Sequence, residues 1–221
     1  MDINGIIRGI SIWAIPVVFA VVLHEVSHGW VASRLGDDTA RWMGRLTLNP
    51  LKHIDPIGTV IIPLLLLVMG SPFLFGYAKP VPIDYRKLRR PKQDMVWVAA
   101  AGPVTNLLLA LASAVLLFVV ARLPAAASWF SHPVSLMCQA SILINMVLCI
   151  FNLLPLPPLD GGRVAVGLLP GPAAYQLSRV EPFGFLIIVV LLMTGLLQQI
   201  IGPLVMGSAQ LLIGWALGGA A

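Results

Sequence analysis

The chain has 221 residues, of which 58% are hydrophobic and 10% charged, and its formal net charge is +5. An ordinary soluble domain carries about 25% charged residues, so this composition excludes that class and favours a membrane protein. The basic residues are explained by the positive-inside rule for membrane topology, so we expect no nucleic-acid partner.

Five apolar runs are long enough to cross a hydrocarbon core of about 30 Å, which takes about 20 helical residues. They cover residues 6–33, 95–122, 133–154, 183–200 and 203–219. A sixth and shorter run covers residues 57–75. The pattern predicts an all-α polytopic membrane protein with about five to six transmembrane helices, and the lipid bilayer as its surroundings.

The first run contains an unusual group of ionisable residues, in the stretch VVLHEVSHGW. On a helix, His24 and His28 project from one face about 6 Å apart along the axis, so both imidazoles can bind one metal ion. Glu25 lies beside them, where it can take a proton from water, and the spacing is typical of zinc hydrolases. A polar cluster that only stabilises helix contacts is the alternative, but ionisable groups inside membranes are costly and usually mark function.

Two basic loops, residues 34–52 and 79–92, are both assigned to the cytoplasmic side by the positive-inside rule. A single helix between two loops on the same side cannot cross the membrane. We therefore expect the 57–75 run not to cross, and Pro63 suits a bent or re-entrant segment that is buried in protein. A plain transmembrane helix is the alternative for this run.

Short β-like segments are also expected on the cytoplasmic side. Residues 37–56 show partial alternation of basic and apolar side chains around Gly44, which predicts a short hairpin. Residues 76–84 should be extended, because Pro80 and Pro82 bias the residues before them towards extended geometry.

A catalytic zinc ion usually has three protein ligands, so one more is needed. The candidates are His53, His132, Glu181 and the aspartates. Asp160 has a distinctive setting, because it follows three prolines that must end the helix beginning near Pro133. His53 lies in a loop and is expected to be solvated or structural.

The depth of the histidines can be compared with the position of this aspartate. If the first helix enters the membrane at Ile6, His24 lies about 27 Å through the bilayer, near the cytoplasmic face. Asp160 reaches the same face only if one crossing, the 95–122 helix, lies between them. This topology places the N-terminus outside and the C-terminus inside.

Two regions are expected along the chain. Residues 1–165 form a catalytic membrane core, with the histidine helix, the 95–122 helix and the helix leading to Asp160. Residues 166–221 form a linker and a C-terminal helical hairpin, whose two helices are expected to meet near Gly202–Pro203.

Three motifs resemble the site-2 protease family of intramembrane zinc metalloproteases. They are HEVSH at 24–28, AGPVTN at 101–106 and FNLLPLPPLDGGR at 151–163. GRLTLNPLKHIDPIGT and GYAKPVPI further resemble a compact bacterial or archaeal branch that has no inserted PDZ domain. For Asn106, at the end of the second motif, we expect a packing or interhelical hydrogen-bond role.

The resemblance implies a role for each matching residue. His24, His28 and Asp160 would bind one Zn²⁺ ion, and Glu25 would activate the attacking water. Asn152 would contact the substrate backbone or the transition state, and capping of the broken helix is its alternative role.

The implied function is hydrolysis of peptide bonds in or near transmembrane helices of substrate proteins, in a prokaryotic cell membrane. An extended edge at 41–48 or 76–84 would capture the unwound substrate by main-chain pairing. A metal-binding transporter is one alternative, although the sequence lacks the repeated halves of transporters. A catalytically silent protein that binds membrane helices is another, although Glu25 is intact.

Overall fold

The computed structural model describes residues 3–69 and 76–218. Within these residues the chain is mostly helical and has no β-strand, which confirms the predicted all-α class. The helices are α1 Ile3–Leu35, α2 Thr39–Trp42, α3 Ile62–Val68, α4 Pro91–Val120, α5 Ser128–Asn152, α6 Asp160–Leu168, α7 Gly171–Ser178, α8 Glu181–Met193 and α9 Leu196–Leu217.

Four of the described helices are long and apolar enough to cross a membrane, namely α1, α4, α5 and α9. The pair α7 and α8 is bent by 60° and would make a fifth crossing if it acts as one broken span. The described part of the chain therefore offers four to five crossings, whereas the sequence predicted five to six.

The apolar run at 57–75 is described only in part. Its described portion is a π-helical segment of 6 residues, Pro56–Ile61, followed by the 7 residues of α3. Together they extend about 20 Å at most, which is short of a bilayer core of about 30 Å. Residues 70–75, where the run ends, lie outside the described residues.

The predicted hairpin within 37–56 is wrong. Thr39–Trp42 forms the short helix α2 instead, and Pro50–Lys52 forms a 3₁₀ turn. The carboxylate of Asp37 accepts hydrogen bonds from the backbone N–H and the hydroxyl of Thr39. Such local side-chain bonds to the backbone favour a helical turn over a strand, and they override the weak alternation of the sequence.

The predicted joint of the C-terminal hairpin is also wrong. Both Gly202 and Pro203 lie inside α9, and the chain turns instead at Gly195, which has a φ of +73°. A proline within a membrane helix is tolerated when neighbouring groups satisfy the freed carbonyl. A glycine in left-handed geometry, in contrast, ends a helix directly.

Helix α4 lies at the centre of the fold and contacts α1, α5, α6 and α9. Four of its buried residues, Ala99, Gly102, Ala110 and Ala114, are small, and small residues let helices approach closely. The main hydrophobic cluster joins α4, α5 and α9 around Leu117. The histidine motif of α1 therefore faces a helix that approaches it closely.

Candidate active site

The histidine pair lies on the buried face of α1. His24 and His28 are each only 7% exposed, and their Nε2 atoms are 3.1 Å apart. One helical turn separates the two residues, so the spacing in the sequence brings both rings to one point.

Asp160 joins the pair from another part of the chain. Its Oδ2 lies 3.3 Å from Nε2 of His24 and 3.4 Å from Nε2 of His28. The aspartate is the first residue of α6, directly after the proline-rich turn that follows α5. The turn is tight, since a Cβ atom on Gly161 would lie 2.2 Å from the carbonyl oxygen of Leu153.

Helix α4 makes room for the two imidazoles with a glycine. A Cβ atom at Gly102 would lie 2.4 Å from Nε2 of His28 and 2.5 Å from Cε1 of His24. Any larger residue would collide with both rings. Gly102 belongs to the AGPVTN motif, for which the sequence did not indicate a contact with the histidines.

Asn106 orients the ring of His24. Its Oδ1 lies 2.6 Å from Nδ1 of His24, while its Nδ2 donates to the backbone oxygen of Ala20 and to Oδ1 of Asn145. The amide nitrogen is therefore used elsewhere, and Oδ1 must accept a hydrogen bond from Nδ1–H of His24. This is the interhelical hydrogen-bond role expected for Asn106.

A backbone carbonyl orients the second ring. Nδ1 of His28 lies 2.7 Å from the carbonyl oxygen of Val98, which can only accept a hydrogen bond. Both histidines thus carry their proton on Nδ1 when neutral, which leaves the Nε2 lone pairs free. Such an outer partner for each ring is typical of metal-binding histidines.

The three side chains fit a zinc ion. The two Nε2 lone pairs and a carboxylate oxygen are all acceptors, so they repel one another unless a cation lies between them. Oδ2 of Asp160 is buried and has no hydrogen-bond donor in the described part of the chain. Tetrahedral zinc with bonds of about 2.0–2.1 Å would hold neighbouring ligand atoms about 3.3 Å apart, and the observed separations are 3.1 to 3.4 Å.

Glu25 faces a cavity of about 650 Å³ beside these residues. Its Oε2 accepts a hydrogen bond of 2.8 Å from the backbone N–H of Val81. The cavity is lined by residues of α1, the 76–85 segment, the end of α5, α6 and α8. The sequence did not indicate the contact with Val81, because 56 positions separate the two residues.

Asn152 also lines the cavity, near the end of α5. Its Nδ2 donates to the backbone oxygen of Leu148, one turn earlier, at 3.0 Å. This bond is local to the last turn of α5, and the side chain is not part of the metal-binding group. His53 is buried, with Nε2 at 2.9 Å from the carbonyl oxygen of Thr47, so its position is structural rather than solvated.

A charged and aromatic cluster borders the cavity on the side of α6. Arg163 donates a hydrogen bond of 2.8 Å to the phenol oxygen of Tyr85 and lies 3.7 Å from the carboxylate of Glu181. Burial raises the pKa of the Tyr85 phenol above its usual 10.0, although the charge of Arg163 opposes this. The phenol is therefore neutral at ordinary pH, and Arg163 adds a positive charge to the cavity wall.

Comparisons with known proteins show the family to which the chain belongs. The model of a family described as Peptidase family M50 matches residues 12–123 and 121–195. YwhC of Bacillus subtilis (strain 168) is 40% identical over 191 residues, which are 86% of this chain and 84% of that protein. Rip2 of Mycolicibacterium smegmatis is 32% identical over 185 residues, which are 82% of this chain and 66% of that protein. Both relatives bear the name "Putative zinc metalloprotease".

No solved structure matches the chain. The assignment therefore comes from sequence relatives, and the family match covers well over half of the residues. The relative from Bacillus subtilis aligns along most of its own length, so the likeness is not confined to a short motif. This chain belongs to peptidase family M50, the site-2 protease family, and is a zinc metalloprotease.

Proposed function

We propose that the protein cleaves peptide bonds in or near transmembrane helices of substrate membrane proteins. His24, His28 and Asp160 would hold the zinc ion, and Glu25 would be the catalytic base. The observation that carries the proposal is the convergence of three possible ligand atoms, two on the membrane-length helix α1 and one from Asp160 of α6, beside the carboxylate of Glu25 and a cavity.

Zinc bound at such a site lowers the pKa of water and polarises a carbonyl group. Glu25 accepts a proton as water attacks the scissile carbonyl, and it returns the proton to the leaving amine. Asn106 and Val98 keep the two histidines in the tautomer that leaves Nε2 free. Asn152 would contact the substrate backbone from the cavity wall.

A substrate helix must unwind before its amides can react, because its own hydrogen bonds cover them. The main chain of residues 76–84 would pair with the unwound strand. Residues of this segment line the cavity, whereas none of residues 41–48 does. This difference favours the 76–84 edge of the two candidates that the sequence offered.

The site would lie near the cytoplasmic face of a prokaryotic cell membrane, with the N-terminus outside and the C-terminus inside. The clustered basic residues in the two loops around α2 and before α4 support this orientation. Transmembrane proteins would be the partners.

Glu25→Gln tests the proposal, with purified protein and a single-span model substrate. The variant should keep its zinc and lose cleavage, because glutamine cannot accept the proton. Glu181→Gln is the matched control, since Glu181 is the only other glutamate of the chain and its exposed ion pair contributes little. Cleavage by Glu25→Gln at the parent rate would overturn the proposed mechanism.

A further inference from the structure

Arg45 is a buried arginine with an unusual environment. Only 8% of it is exposed, and in the described part of the chain it forms no ion pair with a carboxylate. A buried charge without a counter-charge is costly. Neighbouring groups must therefore offset the cost of burying this cation.

The local fold directs this arginine towards the cavity-lining segment. After α2 the chain turns at Gly44, which has a φ of +64°, and the backbone N–H of Arg45 donates to the carbonyl oxygen of Ala40 at 2.9 Å. From there, Nη2 of Arg45 donates to the carbonyl oxygens of Lys79 at 2.9 Å and Pro80 at 3.3 Å. The guanidinium group therefore holds two consecutive carbonyls.

The second of these carbonyls shares a peptide unit with the amide that contacts Glu25. The carbonyl of Pro80 and the N–H of Val81 lie in one planar group and point in opposite directions. Arg45 holds one end of this group, and Oε2 of Glu25 accepts a hydrogen bond from the other end. Proline has no N–H, so Val81 is the only amide donor between Pro80 and Pro82.

We propose that Arg45 is a positioning residue for Glu25, acting through the Pro80–Val81 peptide. By holding this peptide, Arg45 fixes the N–H that engages one oxygen of the Glu25 carboxylate and leaves the other oxygen for the proton from water. The inference rests on the proposed function, in which Glu25 is the base.

Arg45→Met is the first test, in the full-length protein with the same model substrate. We expect kcat to fall about 10- to 100-fold, since small displacements of a reacting group have costs of this size. KM and zinc content should stay near those of the parent. Arg45→Lys should recover part of kcat, because its ammonium can still donate to one carbonyl. A parent-like kcat in Arg45→Met would overturn the inference.

A pair of substitutions at residue 81 tests the route through the peptide. Val81→Pro removes the N–H, whereas Val81→Ala keeps it and loses only side-chain packing, so Val81→Pro should be the slower of the two. Arg45→Met combined with Val81→Pro should be no slower than Val81→Pro alone, because both changes break one connection. Losses that multiply would mean that Arg45 acts by another route.

Amide hydrogen exchange of residues 76–84 provides a readout that does not depend on catalysis. Glu25→Ala should speed exchange at Val81, and Arg45→Met should do the same without changing Glu25. If neither kcat nor exchange responds to Arg45→Met or Arg45→Lys while Glu25→Gln is inactive, only the inference fails. If Glu25→Gln remains active, the proposed function fails, and the exchange result still shows whether Arg45 holds the peptide.

Discussion

The two histidines of the site are held by acceptors of different kinds. A backbone carbonyl, that of Val98, holds His28, whereas a side-chain amide, that of Asn106, holds His24. A carbonyl within a helix cannot be removed by substitution, but the amide can. The orientation of His24 is therefore the part of the site that a single substitution can test most cleanly.

Replacing Asn106 by Ala should weaken zinc binding about 10- to 100-fold, as loss of an outer partner of a metal-binding histidine does. The ring of His24 would lose the acceptor that keeps its proton on Nδ1. Zinc retained during dialysis against a graded chelator measures the effect. Ser113→Ala is the control, because Ser113 lies on the same helix and bonds only to Ser141 among the described residues.

Gly102→Ala should abolish zinc binding and lower cleavage by about 100-fold or more, since its Cβ would displace both imidazoles. Alanine is the better helix former by about 1 kcal/mol, so α4 itself should persist. Metal analysis and cleavage assays measure the result. Gly207→Ala is the matched control, because a Cβ there meets nothing within 4 Å. Normal zinc content in Gly102→Ala would contradict the site geometry.

At the scale of elements, the proline-rich turn after α5 organises two neighbours. It places Asp160 at the first residue of α6, and it also receives α8, where a Cβ on Gly184 would lie 1.8 Å from the carbonyl oxygen of Pro157. Phe185 and Ile188 of the same helix line the cavity. The turn therefore positions both Asp160, the proposed third ligand, and α8, which forms one wall of the cavity.

The position of the C-terminal turn predicts that alanine substitutions at two glycines change the free energy of unfolding in opposite directions. Gly195→Ala should lower the free energy of unfolding by about 1–2 kcal/mol, because an L-residue is strained in the left-handed region. Gly202→Ala should raise it by about 0.5–1 kcal/mol, because Gly202 lies within α9. Unfolding in mixed micelles with a rising fraction of denaturing detergent measures both free energies. If Gly202→Ala were instead the destabilising substitution, the turn would lie at residue 202.

At the scale of the whole molecule, the number of crossings decides where the chain ends. If α1 runs from outside to inside, α4 and α5 bring the chain back to the inner face. The bent pair α7 and α8 followed by α9 then makes two further crossings, and without the pair there is only one. The side of the C-terminus therefore depends on whether this bent pair spans the membrane.

We expect the C-terminus to lie in the cytoplasm. A fluorescent reporter that matures only in the cytoplasm, fused after the last residue, should be bright. An alkaline phosphatase fused at the same point should be inactive, because it requires an oxidising compartment. The opposite pattern would mean that α7 and α8 do not cross, and that four helices form the membrane domain.

The sequence by itself predicted the membrane class, the two histidines and the neighbouring glutamate, whereas Asp160 was one of several candidates and the resemblance to site-2 proteases singled it out. Local signals carry this prediction, because two histidines one turn apart share a helix face. The same local reasoning failed for residues 37–56, where side-chain bonds of Asp37 decided the conformation.

Only the tertiary structure decided which residues support the site. The space at Gly102, the bonds of Asn106 and the contact of Val81 with Glu25 join positions far apart in the chain. Such contacts depend on how helices pack and how a loop crosses a cavity, and no periodicity in the sequence encodes them. The link from Arg45 through one peptide to Glu25 is of this kind, because a main-chain N–H has no signature in the amino-acid sequence.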